Sequence, residues 1–535
     1  MKTTTRFPST FRALLAVAAL AGPPCTATAA VSGETLANQG APGVAPCASC
    51  HGPDGHGNAA GFPSLAGLPA GYLAKQMHDL ADGQRRNPIM MPIAKGLSDA
   101  RIQAVAAYYA GLPPRDGGAA SGDHRSAGRE LAVNGRWADQ LPACVACHGA
   151  GARGVAPHFP GLAGQHAGYL ESQLQAWKNG TRDNDADGLM KRVAEQLSDE
   201  EIKAVSAWLA ALPARGQVPD TTRPDPAPAR ADAVQGHFQP PLLADLPDGP
   251  DGEVIRRGAA IFSATPTHAD SAPFVGNGQA CVNCHLNSGR QADSAPMWAA
   301  WGLYPKYRSK NDRINTMADR IVGCFTYSEN AQGSAKGVAP APDSDLVTAL
   351  QAYMHWQASG APSGRTLDGQ GYPALAAPSQ APSPERGAAL FAAHCALCHG
   401  DDGQGTARPG TDRPTKDYEF PPLWGPHAYN WGAGMHRVNT GADFIKANMP
   451  LGRPGSLTDQ QAWDLSAYIN SHPRPQDPRF DGDLEATIKA FHGNRDRDYY
   501  GKTVNGYKLG APGTLEQWEK DHDGGARPRA NVDAQ

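Results

Sequence analysis

Four times in 535 residues the chain repeats Cys-x-x-Cys-His, at Cys47–His51, Cys144–His148, Cys281–His285 and Cys395–His399. Two sulfurs so spaced reach the neighbouring vinyl groups of one haem, and the next side chain turns under its iron. The expected attachment residues are therefore Cys47 and Cys50, Cys144 and Cys147, Cys281 and Cys284, and Cys395 and Cys398. His51, His148, His285 and His399 are the proximal iron ligands, for four covalently bound haem c groups. A zinc ribbon or a redox dithiol would also use paired cysteines, but neither needs a histidine directly after every pair. A tethered macrocycle supplies much of the core of a domain under ~100 residues.

At ~100–150 residues per domain the length divides into about four, which agrees with the motif count. The expected class is all-α, four tandem cytochrome c-type domains with no convincing strand pairs. The boundaries read as a signal peptide at 1–30, domains at 31–116 and 120–216, a Pro- and Ala-rich linker at 217–238, a third domain at 239–365, a linker at 366–383, a fourth domain at 384–480 and a polar tail at 481–535. That tail is expected to wrap the surface or stay partly disordered. A net charge of -4 gives no nucleic-acid-binding surface, and 61 Gly with 47 Pro suit small loop-rich domains.

Lys2, Arg6 and Arg12, the apolar stretch from Ala13 to Ala21, and Ala27-Thr28-Ala29-Ala30 have the layout of a secretory signal, cleaved after Ala29 or Ala30. The expected location is the periplasm. Pro24 argues against lipid attachment at Cys25. No later apolar stretch reaches the ~20 residues of a spanning helix, so no transmembrane segment is expected in the mature protein.

The first two domains are an internal duplication. Phe62-Pro63-Ser64-Leu65-Ala66-Gly67 and Gly71-Tyr72-Leu73 recur as Phe159-Pro160-Gly161-Leu162-Ala163-Gly164 and Gly168-Tyr169-Leu170. Leu97-Ser98-Asp99 and Leu197-Ser198-Asp199 each open an amphipathic terminal helix, with Glu201 completing a capping box in the second. In the fourth domain Thr458 and Gln461 form the same device.

A methionine on the distal side raises the potential of a haem. Met90 and Met91 compete in the first domain; Met190 lies seven residues before Leu197 as Met90 does before Leu97, which selects Met90. Met449 precedes the last helix of the fourth domain similarly. A single methionine so placed is ordinary core filler, but the repeated position favours ligation. The third domain breaks the pattern: its candidates are Met297, Met317, His268 and Cys324. Of ten cysteines, eight serve the motifs and Cys25 leaves with the signal, so Cys324 is left over. In an oxidising compartment such a thiol is either buried and inert or used, and Arg320 nearby favours its thiolate.

Residues 31 to about 216 resemble the dihaem electron-transfer cytochromes of the c-four type, through the Phe-Pro-x-Leu-Ala-Gly and Leu-Ser-Asp runs above. Residues from about 252 to 480 resemble the thiosulfate dehydrogenase family through Val275–Gly278, Cys281–His285, Ala295–Trp301, Arg320–Ser328, Pro421–Gly425, Tyr429–His436 and Asn448–Gly452. The resemblance implies a fusion of an enzyme with its acceptor cytochrome, joining two thiosulfate ions into tetrathionate and passing electrons to a downstream acceptor. It implies His285 and Cys324 as ligands of the active-site haem and His399 and Met449 at the fourth. Some relatives have a lysine beside that methionine; here the position is Asn448. Two dianions repel by several kcal/mol at short range even at an effective dielectric near 20, so the site must be basic. Arg320, then Arg308 and Lys310, are the expected basic groups, and Ser328 a hydrogen-bond donor. A non-catalytic multihaem electron-transfer cytochrome and a thiosulfate-handling sulfurtransferase are the competing readings.

Overall fold

The computed structural model describes residues 31–117, 127–216, 237–242, 245–411, 413, 415–493 and 497–522. The expected signal peptide with Cys25, and most of the first linker, lie outside the described residues.

One helix crossing is built four times. Gly33–Gln39 crosses Asp99–Ala110, Ala127–Val133 crosses Asp199–Ala211, Gly249–Ser263 crosses Asp345–Gln357, and Pro384–His394 crosses Asp459–Asn470. A glycine sits at each crossing. A Cβ on Gly33 would lie 2.1 Å from the Ala104 carbonyl oxygen, on Gly128 2.2 Å from that of Ala204, on Gly258 2.0 Å from that of Ala349, and on Gly387 2.2 Å from that of Asp464. Only a residue without a side chain lets the two backbones touch there.

The terminal helices bury the faces their periodicity predicts: Ile102, Val105, Ala106 and Tyr109 in the first domain, Ile202, Val205, Ser206 and Leu209 in the second. The Ser198–Glu201 and Thr458–Gln461 capping boxes both form, whereas the Ser98 side chain makes no cap bond.

Contrary to the expectation of no strand pairs, three antiparallel hairpins occur. Lys306–Arg308 pairs with Arg313–Asn315, Thr406–Ala407 with Tyr418–Phe420, and Thr503–Val504 with Tyr507–Lys508. Strands of two or three residues are too short to show a period of two. The turn Asn505-Gly506, with φ of 50° and 85°, was the one legible signal. The architecture remains helical.

The described part of the tail, 481–493 and 497–522, packs on the fold, as one of its two expected arrangements has it. Helices Leu484–Phe491 and Thr514–His522 dock it, with Tyr500 and Leu509 buried against Trp431. His492 sits 3.0 Å from Asp477 Oδ2 and 2.7 Å from Asp498 Oδ2, with its side chain fully buried. Burial alone would lower the imidazole pKa, but hydrogen bonds to the two carboxylates raise it above its ordinary value. The polar residues that read as solvated thus satisfy one another internally.

Contacts between domains order the four motifs in space. Asn277 Nδ2 donates to the Ala428 carbonyl (3.1 Å) and Asn430 Nδ2 to that of Thr326 (3.0 Å), locking the third domain to the fourth. The fourth meets the second through Phe159 and Phe420, whose rings are 5.4 Å apart, and through Arg453 and His394 on Asp187.

Candidate active site

Each Cys-x-x-Cys-His motif is one short helical turn: Ala48–His51, Val145–His148, Cys281–Cys284 and Ala396–His399. Gly52, Gly149 and Gly400 follow three of the histidines at φ of 75–78°, turning the chain away at once. After His285 comes Leu286 instead, and the reversal is made by Asn287 and Ser288 at φ of 50° and 54°.

All four imidazoles are held the same way. Nδ1 donates to the carbonyl of Pro63 (3.0 Å), Pro160 (2.7 Å), Ala295 (2.8 Å) and Pro421 (2.8 Å) for His51, His148, His285 and His399 respectively. That bond fixes the tautomer and leaves Nε2 free as a ligand, the arrangement expected around iron-bound histidine. His51 Nε2 is buried with no partner. Burial pushes the free thiols of Cys284, Cys395 and Cys398 up to about 12, which marks an apolar setting for each pair. The residues fit covalently held haem.

The first two motifs open into one cavity of about 740 Å³. Met90 and Met190 line it with His51 and His148, while the methyl of Met91 is turned toward Gly83, 4.0 Å from where a Cβ would stand. Leu397, Leu451 and Gly452 of the fourth domain close the same cavity. Met449 follows helix Val438–Asn448 and packs on the fourth core, and Asn448 Nδ2 donates to the Asp293 carbonyl at 3.1 Å. Asn448 is thus tied to the third domain.

The third motif faces a separate cavity of about 220 Å³, lined by Cys281, Cys284, His285, Arg320, Cys324 and Ser328. Helix Met317–Tyr327, started by a Thr316–Asp319 capping box, places Arg320 and Cys324 one turn apart. Arg320 Nη1 donates to Cys324 Sγ at 2.9 Å. The sulfur, first among the causes, raises the guanidinium pKa. Met297 and Met317 also line this cavity; His268 does not and lies beside Asp270.

Arg308 and Lys310 are outside this lining, on the Lys306–Asn315 hairpin. Arg308 Nη1 reaches the Tyr304 hydroxyl at 3.4 Å. Lys310 Nζ donates to the Gly432 carbonyl at 2.5 Å and stands 3.4 Å from the centre of the Tyr327 ring. Burial first, then repulsion from Arg479, Arg320 and Arg308, lowers its pKa to about 7. Two further groups were missed in the sequence. Arg479, at the end of the fourth domain, lies over the same Tyr327 ring at 5.4 Å; Glu329 is 3% exposed and its carboxyl pKa is raised by burial, with nothing in its sequence context to mark it.

A family model described as cytochrome c matches residues 32–112, 127–213 and 384–473, three of the four motif-bearing stretches. The thiosulfate dehydrogenase of Stutzerimonas stutzeri (strain A1501) is 48% identical over 279 residues, 52% of this chain and 86% of that protein. The thiosulfate dehydrogenase electron acceptor of Thiomonas intermedia (strain K12) is 48% identical over 175 residues, 32% of this chain and 81% of that one. The solved structure of thiosulfate dehydrogenase (TsdBA) from Marichromatium purpuratum, in its as-isolated form, is 48% identical with a TM-score of 0.80, covering 89% of this chain and 98% of that one. With helical haem-binding turns throughout and a cysteine–arginine pair at the third of them, the chain belongs to the thiosulfate dehydrogenase family of c-type cytochromes.

Proposed function

We propose that this chain is a periplasmic thiosulfate dehydrogenase that joins two thiosulfate ions into tetrathionate at its third motif and passes the electrons to a downstream acceptor. The observation that carries this reading is Cys324 Sγ, outside the attachment set, in the cavity of His285 and bonded by Arg320. Four haem c groups would be held by the cysteine pairs named above, with His51 and Met90, His148 and Met190, His285 and Cys324, and His399 and Met449 offered to the irons, where the haems would supply one-electron redox chemistry. The same similarities support the fused arrangement of enzyme and acceptor.

Bound haem would supply one-electron acceptors, and the contacts of the third domain with the fourth and of the fourth with the second support electron flow away from the third motif. The chain's own residues supply the rest. The Cys324 thiolate bonds to the sulfane sulfur of one thiosulfate, giving Cys–S–S–SO3⁻ as two electrons leave. The sulfane of a second thiosulfate then attacks the outer sulfur of that adduct, releasing tetrathionate and restoring the thiolate. Arg320 stabilises both sulfur anions, Ser328 donates a hydrogen bond, and Arg308, Lys310 and Arg479 offset the repulsion between dianions.

Adding thiosulfate to the purified, oxidised holoprotein tests this directly. Haem reduction should accompany one tetrathionate per two thiosulfate consumed. No reduction would leave an electron-transfer cytochrome; sulfane retained on protein without tetrathionate would leave a sulfurtransferase.

The lysine adds a pH dependence. Lys310 carries its charge below about 7 and loses it above. KM for thiosulfate should therefore rise as pH passes upward through that value, and Lys310→Arg, charged throughout, should flatten the profile. Steady-state kinetics from acid to mildly alkaline pH would show it.

A further inference from the structure

A buried positive group stands without a counter-ion in the fourth domain. Arg474 is 2% exposed and Trp431 0%. Arg474 Nη2 donates to the Ile469 carbonyl at 2.8 Å, but its Nε and Nη1, and Trp431 Nε1, are sealed from solvent with no acceptor among the described residues. The guanidinium carbon lies 5.0 Å from the Trp431 ring centre and 4.4 Å from that of Tyr429. The carboxylates of Asp477 and Asp498 are engaged elsewhere: Asp477 by Arg479 and His492, Asp498 by His436 and His492. Arginine has five N–H donors, no acceptor, and stays ionised in proteins. Ring faces ease a buried guanidinium but accept no in-plane hydrogen bond, and an uncompensated buried charge is strongly destabilising. Three buried donors, one group of them cationic, call for an anion with more than one oxygen.

Tyr429 connects this cluster to a cavity. Its ring lies against Arg474, and the same residue lines the cavity of Cys281, Cys284 and His285. Sealed, partnerless nitrogens do not argue against a cofactor contact, because His51 Nε2, a haem-ligand position, is in the same condition. Every haem brings two propionate carboxylates. We propose that Arg474 and Trp431 hold a propionate of the third haem, so that Arg474 sets the potential of the haem that Cys324 faces. The inference rests on the reading that the third motif carries haem.

A cation beside the propionate disfavours the extra positive charge of ferric iron, so its removal should stabilise the oxidised state. The full-length holoprotein is compared with Arg474→Gln, Arg474→Lys and Trp431→Phe, after haem content is counted in each. Potentiometric titration followed by electron paramagnetic resonance reads the third haem separately. Arg474→Gln should move its ferric–ferrous equilibrium about tenfold toward ferric, ~59 mV for one electron. Trp431→Phe, which removes the N–H and keeps the ring, should shift it less in the same direction, and Arg474→Lys should restore most of the loss. An unchanged third-haem potential in fully loaded Arg474→Gln and Trp431→Phe, or a shift confined to another haem, overturns the proposal. Should the glutamine variant not fold, Trp431→Phe decides alone. Wild-type protein lacking haem at the third motif would instead sink the underlying reading.

Discussion

Replacing Cys324 with alanine is expected to end tetrathionate formation, lowering kcat by roughly 10³-fold or more, while all four haems remain attached. The separation is possible because the eight attachment cysteines and four histidines lie on other turns of chain. Cys324 lies within a helix whose buried face, Met317, Ile321 and Phe325, is left intact. Loss of the Arg320 hydrogen bond is the main structural cost. Cys324→Met should also be inactive. Thioether in place of thiolate removes the nucleophile and raises the potential of the third haem, so that haem should be reduced more readily by a chemical reductant yet not by thiosulfate. Tetrathionate assay and haem spectra on the same samples check both halves. Turnover retained in both variants removes Cys324 from the chemistry.

Arg320→Gln is expected to lower kcat/KM for thiosulfate by ~10²–10³, the usual effect of removing one donor aimed at developing negative charge. Under the proposed mechanism the guanidinium serves two anions at once, the Cys324 sulfur at 2.9 Å and the incoming dianion, since both groups line the same cavity. The loss should therefore fall on both KM and kcat, because binding and the reactivity of the thiolate each weaken. Arg320→Lys should recover part of the binding and less of the rate, since a single ammonium cannot reproduce the planar fork. Were Arg320 only a partner of a haem propionate, kcat/KM would hold and a haem potential would move instead. Steady-state kinetics paired with a redox titration distinguishes the two.

What could be read in advance was what local chemistry writes locally. A thioether-linked haem needs its two sulfurs and one imidazole within five residues, and a capping box needs four, so those features stand in the sequence as motifs. The duplication carried Met90 and Met190 to matching places, and both line the shared cavity. Groups that act across the fold left no such trace. Arg474 and Trp431 are 43 positions apart and are brought together by long-range bonds, such as those from the Trp431 backbone N–H to the Pro475 carbonyl at 3.0 Å and from the Gly425 N–H to that of Pro473 at 2.8 Å. The contact of Phe159 with Phe420, which brings the second motif to the fourth, joins residues of different domains with no shared pattern. The pairing that buries polar groups of the tail against the fourth domain was also invisible locally. Asp477, His492 and Asp498 look like solvated polar residues one at a time, and only their mutual pairing makes their burial affordable.

The direct test of the central claim is a ligand spectrum. Near-infrared magnetic circular dichroism and electron paramagnetic resonance of the oxidised, substrate-free holoprotein report the atom bound opposite each histidine. One haem in four should carry a thiolate signature, and that signature alone should vanish in Cys324→Ala. A wild-type spectrum made only of histidine–methionine or bis-histidine haems would contradict the account.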